Sequence, residues 1–209
     1  MVTALSSCRA NPICPMTLQS LTHPMALMLA VTSEVAQRRA TSWQLAKSTT
    51  LVTGTNYPPP HAYFAELQRV SKNQIIWGGN YFIDDLHNTN CMIVWNKQNG
   101  ENEYADCELA WTSFKSAVRM FTWRWSGFLQ EVKQERIHPT EKPIQLYEWL
   151  LQKYAKEGDK ILDTHGGSMS HAIACHRLGF DLTIIEKDPI YYHDARERLI
   201  REQQQLKLF

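Results

Sequence analysis

Two short stretches in the last third of the chain hold residues whose types and spacing suit the binding of a nucleoside. The first is Asp163-Thr164-His165-Gly166-Gly167-Ser168, directly after the apolar run Ile161-Leu162. Glycines at the end of a strand let backbone approach a ligand where a side chain would clash. The second is Glu186, at the tip of the next apolar run, Leu182 to Ile185. A carboxylate there can accept hydrogen bonds from both hydroxyls of a ribose. The separation, 186 − 167 = 19 residues, is close to the ~20 of nucleotide-binding β-α-β units. The glycines do not spell the dinucleotide fingerprint and no phosphate-loop lysine follows, so NAD and ATP both fit poorly. By itself the pair signals a nucleoside site, and its bland alternative is a tight turn between strand and helix.

Those residues need particular elements to place them. Lys160 to Asp163 reads as a short strand, Ser170 to Leu178 as a helix stopped by Gly179, and Asp181 to Ile185 as the next strand. A last helix starts near Pro189, runs through Ala195 and Leu199 into Gln203-Gln204-Gln205, and has Asp188 as a cap rather than a ligand. Upstream, His138-Pro139-Thr140-Glu141-Lys142-Pro143 leads into a helix carrying Ile144, Leu146, Tyr147, Trp149, Leu150 and Tyr154. Thr140 can cap that helix and Pro143 helps to start it.

Ordered pattern begins near Pro58-Pro59-Pro60. Tyr63, Phe64, Leu67 and Val70 have helical spacing, Gln74 to Trp77 reads as a buried strand, Asn80 to Leu86 as a short helix, and Cys91 to Trp95 as a second strand. The aromatic stretch Glu108 to Trp125 predicts a pair of sheet strands, with Trp111, Trp123 and Trp125 in the core. Residues 1–57 show no sustained period of 2 or 3.6, and their composition suits a partly disordered arm. Strands alternating with helices imply an α/β fold with a mostly parallel sheet covered on both faces.

Bulk properties narrow the classes. The 209 residues suffice for a buried core, and a net charge of +1 gives no bulk pull toward nucleic acid, so a DNA partner would need cations sorted onto one face. Five cysteines with no paired spacing argue against a disulfide framework or a zinc site and favour a reduced cytoplasm. No apolar run reaches the ~18 residues of a membrane span.

The stretch His138 to Leu199 resembles the C-terminal half of beta-group DNA amino-methyltransferases, which place the cofactor motif after the catalytic one. Their usual Asp-Pro-Phe-Gly-Gly-Ser-Gly is here Asp163-Thr164-His165-Gly166-Gly167-Ser168-Met169, similar to a subset carried by bacteriophage and associated with adenine. His138 to Pro143 resembles their His-Pro-Thr-Gln-Lys-Pro, with Glu141 in place of Gln, and Glu186-Lys187-Asp188-Pro189-Ile190-Tyr191 completes the match. Tyr63 to Leu67, Arg69 to Phe82, Trp95 to Lys97 and Asp106 to Trp111 resemble the same enzymes, so the likeness covers about residues 58 to 200. It implies a Rossmann-like class I methyltransferase fold, S-adenosylmethionine as methyl donor, and double-stranded DNA as partner. The implied division is a segment 1–57 and a domain 58–209, with a target side at 58–130 and a cofactor half at 138–200. The implied cofactor residues are Asp163, Thr164, His165, Gly166, Gly167, Ser168 and Glu186, together with His138, Thr140 and Lys142. A cationic Lys142 and helix-start amides suit the donor's carboxylate.

The catalytic signature Asp-Pro-Pro-Tyr is missing. Enzymes of this type hold the target amino group with an Asp side chain and a carbonyl, and stack the flipped base on an aromatic ring. The expected neighbourhood reads Leu21-Thr22-His23-Pro24-Met25-Ala26-Leu27-Met28, in which His23 is no pure acceptor and Met25 no stacking ring; a core strand is the preferred reading of that run. Regrouping the third base of each codon with the next two, from Leu21 onward, permits Asp-Pro-Pro-Tyr-Gly-Ile-Asn-Val, with the Met25/Ala26 junction forced to glycine. A shifted reading frame would thus account for the loss. Weak or no methyl transfer is expected; the alternatives are a non-catalytic cofactor- or DNA-binding remnant and a cytosine amino-methyltransferase. Arg119, Arg124, Lys133 and Arg136 lie where relatives often place a target-recognition segment, and Arg38 and Arg39 are further candidates for phosphate contact; an ordinary solvated face is the alternative.

Overall fold

The computed structural model describes residues 59–100, 105–126, 129–130, 136–138 and 140–205, with the strand backbones of 3–6 and 27–31. Lys133, Arg38, Arg39, His23 and Met25, and with them most of the segment in which the catalytic signature is expected, lie outside the described residues.

The strands are β1 (Thr3–Ser6), β2 (Leu27–Val31), β3 (Gln74–Trp77), β4 (Met92–Asn96), β5 (Cys107–Thr112), β6 (Arg119–Thr122), β7 (Trp125–Ser126), β8 (Leu129–Gln130), β9 (Lys160–Asp163) and β10 (Asp181–Glu186). The helices are α1 (His61–Val70), α2 (Ile144–Tyr154), α3 (Ser170–Leu178) and α4 (Pro189–Gln204). Eight strands make one sheet in the order β1-β10-β9-β2-β3-β5-β4-β6, and β7 and β8 pair separately. The run β10-β9-β2-β3 is parallel throughout, β4 and β6 are parallel, and β1, β5 and their neighbours pair antiparallel.

Period-2 alternation explains why helices cover both faces. Ile161, Leu182, Ile184, Ile75 and Trp77 point into a core completed by Ile144, Leu146 and Leu150 of α2, Ala172 and Ile173 of α3, and Ala195 and Leu199 of α4. Their chain neighbours Leu162, Ile185 and Ile76 point the other way, onto Phe64, Leu67 and Val70 of α1. The α/β, largely parallel, two-sided arrangement expected from the sequence is present.

Three local expectations differ from the structure. The unpatterned segment 1–57 supplies two strands to the sheet, and one of them, β2, lies centrally between β9 and β3. Leu27 and Met28, the end of the apolar run read as a core strand, open β2. In place of a helix over Asn80 to Leu86 there is only a 3-10 turn, Gly79–Tyr81. Successive i+3 bonds to Gly78 and Gly79 carbonyls tighten the chain there and turn Phe82 into the α1 core while Ile83 stays exposed. Strands β5 and β6 do not pair with each other, because β4 lies between them. Ile93 and Trp95 of β4 are almost fully buried, which an interior strand permits.

Candidate functional site

Strands β9 and β10 end side by side, and beyond β9 on its other flank lies β2. The order of connection reverses there: β9 leads outward to β10, while β2 pairs with β3 on the opposite side. In open α/β sheets such a reversal leaves a crevice at the carboxyl ends of the strands.

Asp163, 1% exposed, closes β9. Its Oδ1 accepts a hydrogen bond from the His165 backbone N–H (2.9 Å), and its Oδ2 lies 3.1 Å from His171 Nδ1. An ionised carboxylate only accepts, so His171 donates from Nδ1. The His171 ring stacks on Tyr147 with centroids 4.8 Å apart. Burial drives the Tyr147 hydroxyl pKa well up, and the Asp163 charge adds to that. His171 is a site residue that sequence reasoning missed; the available signal was a histidine on the first turn of a helix otherwise buried over Ser170 to Cys175.

The glycine bend is pinned from β10. Gly166 N–H donates to the Ile185 carbonyl at 2.8 Å. A Cβ at Gly166 would lie 3.1 Å from Ile184 Cγ1 and 3.3 Å from that carbonyl oxygen, tighter than side chains tolerate. Gly167 has φ +49°, in the left-handed region, and a Cβ there would project to 3.6 Å from the His138 ring. Its N–H donates to Glu186 Oε2 at 2.7 Å, while Glu186 Oε1 accepts from the Asp188 N–H at 2.9 Å. Glu186 therefore faces the bend, and each of its oxygens keeps a second lone pair for a sugar hydroxyl.

The remaining loop residues fix the bend from below. Met169 adopts φ +54°, a conformation costing a side-chain-bearing residue about 1 kcal/mol, and its side chain is fully buried in the main core, which offsets that cost. Ser168 is buried; its hydroxyl meets that of Ser170 at 3.0 Å and its carbonyl accepts from Arg198 of α4 at 3.2 Å. Thr164 and His165 turn toward α1, where the Tyr63 hydroxyl lies 2.7 Å from Thr164 Oγ1.

The segment His138 to Pro143 folds over the bend. His138 packs edge-on to Tyr191 at 4.4 Å, and its Nδ1 lies 3.0 Å from Thr140 Oγ1. Thr140 does not cap α2: the capping position is Pro143, which has no side-chain bond to give, and Thr140 turns back to His138 instead. Glu141 pairs with Arg198 at 2.9 Å and accepts from the Ile137 N–H at 3.1 Å; burial pushes its pKa up in spite of that guanidinium. Lys142 is 3% exposed, and its ammonium pairs with Glu108 of β5 at 2.9 Å rather than standing at the surface. A second lysine, Lys97, just past β4, holds the other oxygen of Glu108 at 2.7 Å. Burial works against the Glu108 charge, yet Lys142 and Lys97 outweigh it and hold the carboxyl down at about 2. A buried ammonium needs such a counter-charge.

Glu186, Gly166, Gly167 and His138 thus come together, with Asp163, Ser168 and Thr140 supporting them from behind, while Lys142 is committed to β5. Arg119, Arg124 and Arg136 are exposed, and the Arg136 guanidinium lies 5.2 Å from the Trp125 ring centre. Trp111 and Trp125 are buried, as expected, and Trp123 packs against the core. Among the described residues no group of His, Cys, Asp and Glu could hold a metal ion, and no helix is long and apolar enough to cross a membrane.

Comparison with known proteins agrees with this geometry. The family model for DNA methylases matches residues 61–197. The type II methyltransferase M2.DpnII of Streptococcus pneumoniae is 36% identical over 80 residues, which are 37% of this chain and 30% of the relative. The type II methyltransferase M2.LlaDCHI of Lactococcus lactis subsp. cremoris is 30% identical over 111 residues, 51% of this chain and 40% of the relative. The chain therefore spans well under half the length of these curated relatives. Among solved structures, the DNA modification methylase TTHA0409 of Thermus thermophilus, complexed with S-adenosyl-L-methionine, superposes with a TM-score of 0.55 at 17% identity, covering 90% of this chain and 91% of that one. That likeness shows a shared fold. The family match runs from α1 through the glycine bend and Glu186 into α4, and this chain belongs to the DNA methylase family.

Proposed function

We propose that the crevice at the ends of β9 and β10 binds S-adenosylmethionine, and that the chain descends from an enzyme methylating the exocyclic amino group of adenine in double-stranded DNA. The observation that carries the reading is the 2.7 Å bond between Gly167 N–H and Glu186 Oε2. It sets a carboxylate with spare acceptor capacity beside a bend where Gly166 and Gly167 leave backbone open to close approach. The bound cofactor supplies an electrophilic methyl group on its sulfonium.

Each residue has a definite part in this reading. Glu186 accepts from the ribose hydroxyls. Gly166 and Gly167 let the loop backbone lie against the nucleoside, and Asp163, held by His171, keeps the loop turned toward it. Ser168 anchors the far end of the loop to α4. His138 and Thr140 close the crevice over Gly167, and Lys142 fastens that segment to β5 through Glu108. Transfer itself requires a target amino group fixed by an acceptor and a stacking ring, and the run Leu21 to Met28 contains neither. Donor binding with weak or no methylation is the consequence.

Isothermal titration of the full chain with S-adenosylmethionine tests the site. Binding that weakens about tenfold on Glu186→Gln, as loss of charge-assisted hydrogen bonds requires, supports it; no binding by the unsubstituted chain overturns it. Incubation with unmodified DNA and labelled donor, with the product bases identified by mass, tests the chemistry. Methylation at rates typical of intact relatives would refute the predicted deficiency, and label on cytosine would replace adenine as the target. A non-catalytic binding module is the second reading, favoured by the same missing acceptor, and donor binding without turnover is its signature.

A further inference from the structure

Helix α1 reaches the strand-end loop through Tyr63. The Tyr63 hydroxyl lies 2.7 Å from Thr164 Oγ1 and 3.4 Å from His165 Nδ1, and Thr164 Oγ1 is 3.0 Å from the same Nδ1. The Tyr63 and His165 rings meet edge to face at 5.7 Å. The partners Tyr63 and Thr164 are 101 residues apart in sequence, so the cluster joins the element that opens the target side to the loop of the cofactor half.

Counting protons gives the cluster a direction. Burial pushes the Tyr63 pKa far up, against the hydrogen bond from Thr164, so the phenol keeps its proton and needs an acceptor for it. With His165 Nδ1 bare, Tyr63 donates to Thr164 Oγ1, Thr164 donates to Nδ1, and every hydroxyl proton has an acceptor inside the cluster. With a proton on Nδ1, the Tyr63 and His165 protons would both turn to Thr164 Oγ1, and the Thr164 proton would have no acceptor there. The nitrogen that accepts determines which one carries the ring proton, and here that proton belongs on Nε2.

The place of the cluster in the sheet indicates which part of a ligand it serves. Glu186 and Gly167 take a sugar on the β10 side. Thr164 and His165 precede the glycines at the end of β9, whose other neighbour is β2. A donor with its ribose at β10 and its methyl turned toward the crevice runs its amino-acid end across Thr164 and His165. His165 is exposed, and a neutral ring N–H suits a carboxylate.

Resting on the cofactor reading above, we propose that Tyr63 is a positioning residue for cofactor binding: through Thr164 its hydroxyl fixes His165 with the proton on Nε2 and holds the loop crossed by the methionyl end of the donor. The test uses the full chain and two ligands. S-Adenosylhomocysteine carries the amino-acid end, and 5′-methylthioadenosine lacks it. Tyr63→Phe is expected to weaken S-adenosylhomocysteine about tenfold and methylthioadenosine less than about twofold, the scale of one hydrogen bond acting on one end of the ligand. Thr164→Val should repeat the pattern. Long-range proton–nitrogen NMR should find His165 Nδ1 bare in the unsubstituted chain and partly protonated in Tyr63→Phe. Equal losses for the two ligands would reduce Tyr63 to a structural tie, and unchanged S-adenosylhomocysteine binding would remove it from the site; either result overturns the proposal and leaves the cofactor reading standing. Failure of the unsubstituted chain to bind either ligand overturns the cofactor reading and the binding role together.

Discussion

Glu108 sits between two ammonium groups, and the balance around it has a consequence in acid. Burial opposes its charge, but Lys142 and Lys97 hold its carboxyl at about 2, below the ordinary 4.5. A folded value below the unfolded one means that the unfolded chain takes up the proton first. The stabilisation is therefore complete above the ordinary carboxylate range and is lost as pH falls from 4.5 toward about 2. Glu141 acts in the opposite sense: burial raises its value despite Arg198, so its contribution declines as pH climbs through and above the ordinary range. Glu108→Gln should cost about 3 kcal/mol near neutrality, the scale for breaking a buried ion pair from one side, and should flatten the acid limb of a urea-midpoint profile. An unchanged acid limb would show that the pair is not the source of the slope. None of this was legible in the sequence. Glu108 lies 34 residues from Lys142 and reads there as one polar residue in an aromatic stretch; only folding β5 beneath the His138–Pro143 segment makes them partners.

Helix α4 was readable to its first residue because its start signal is local. Asp188 precedes Pro189, and in the structure its Oδ1 accepts from the N–H groups of Ile190 and Tyr191 at 2.9 and 3.3 Å. Asp188→Ala should destabilise the protein by about 1 kcal/mol, read as a lower urea midpoint with unchanged steepness. A loss near zero would mean that Pro189 alone suffices to start the helix. Thr140 shows the limit of such reasoning, since it has a cap's chemistry at a plausible distance from α2, yet His138 claims its hydroxyl. The 3-10 turn at Gly79–Tyr81 and the insertion of β4 between β5 and β6 were not foreseeable for a related reason. Short segments carry too little pattern to separate one turn from another, and pairing order depends on which buried side chains must be covered on both flanks.

The molecule as a whole is a largely parallel sheet whose connection reverses between β9 and β2, and the missing chemistry belongs beside that reversal. Replacing Leu21 to Met28 with the octapeptide Asp-Pro-Pro-Tyr-Gly-Ile-Asn-Val should raise DNA methylation on the order of 100-fold, the scale of restoring one preorganised polar contact to a reacting group. A chain so altered that stays inactive would place the defect elsewhere, and codons 16 to 32 that cannot spell the octapeptide would end the shifted-frame explanation. The sequence alone determined the β-α-β unit around Asp163, Gly166, Gly167 and Glu186, because strand period, helix stop and the 19-residue interval are all set by neighbours along the chain. It also determined the two-sided sheet, through alternating apolar residues. Tertiary structure alone decided that β2 enters the middle of the sheet, that Lys142 answers to Glu108, that His171 holds Asp163, and that Tyr63 reaches Thr164. Each of these joins groups distant in sequence or unmarked by any period, and the need of a buried polar atom or strand for a partner chooses among many candidates only once the chain has closed on itself.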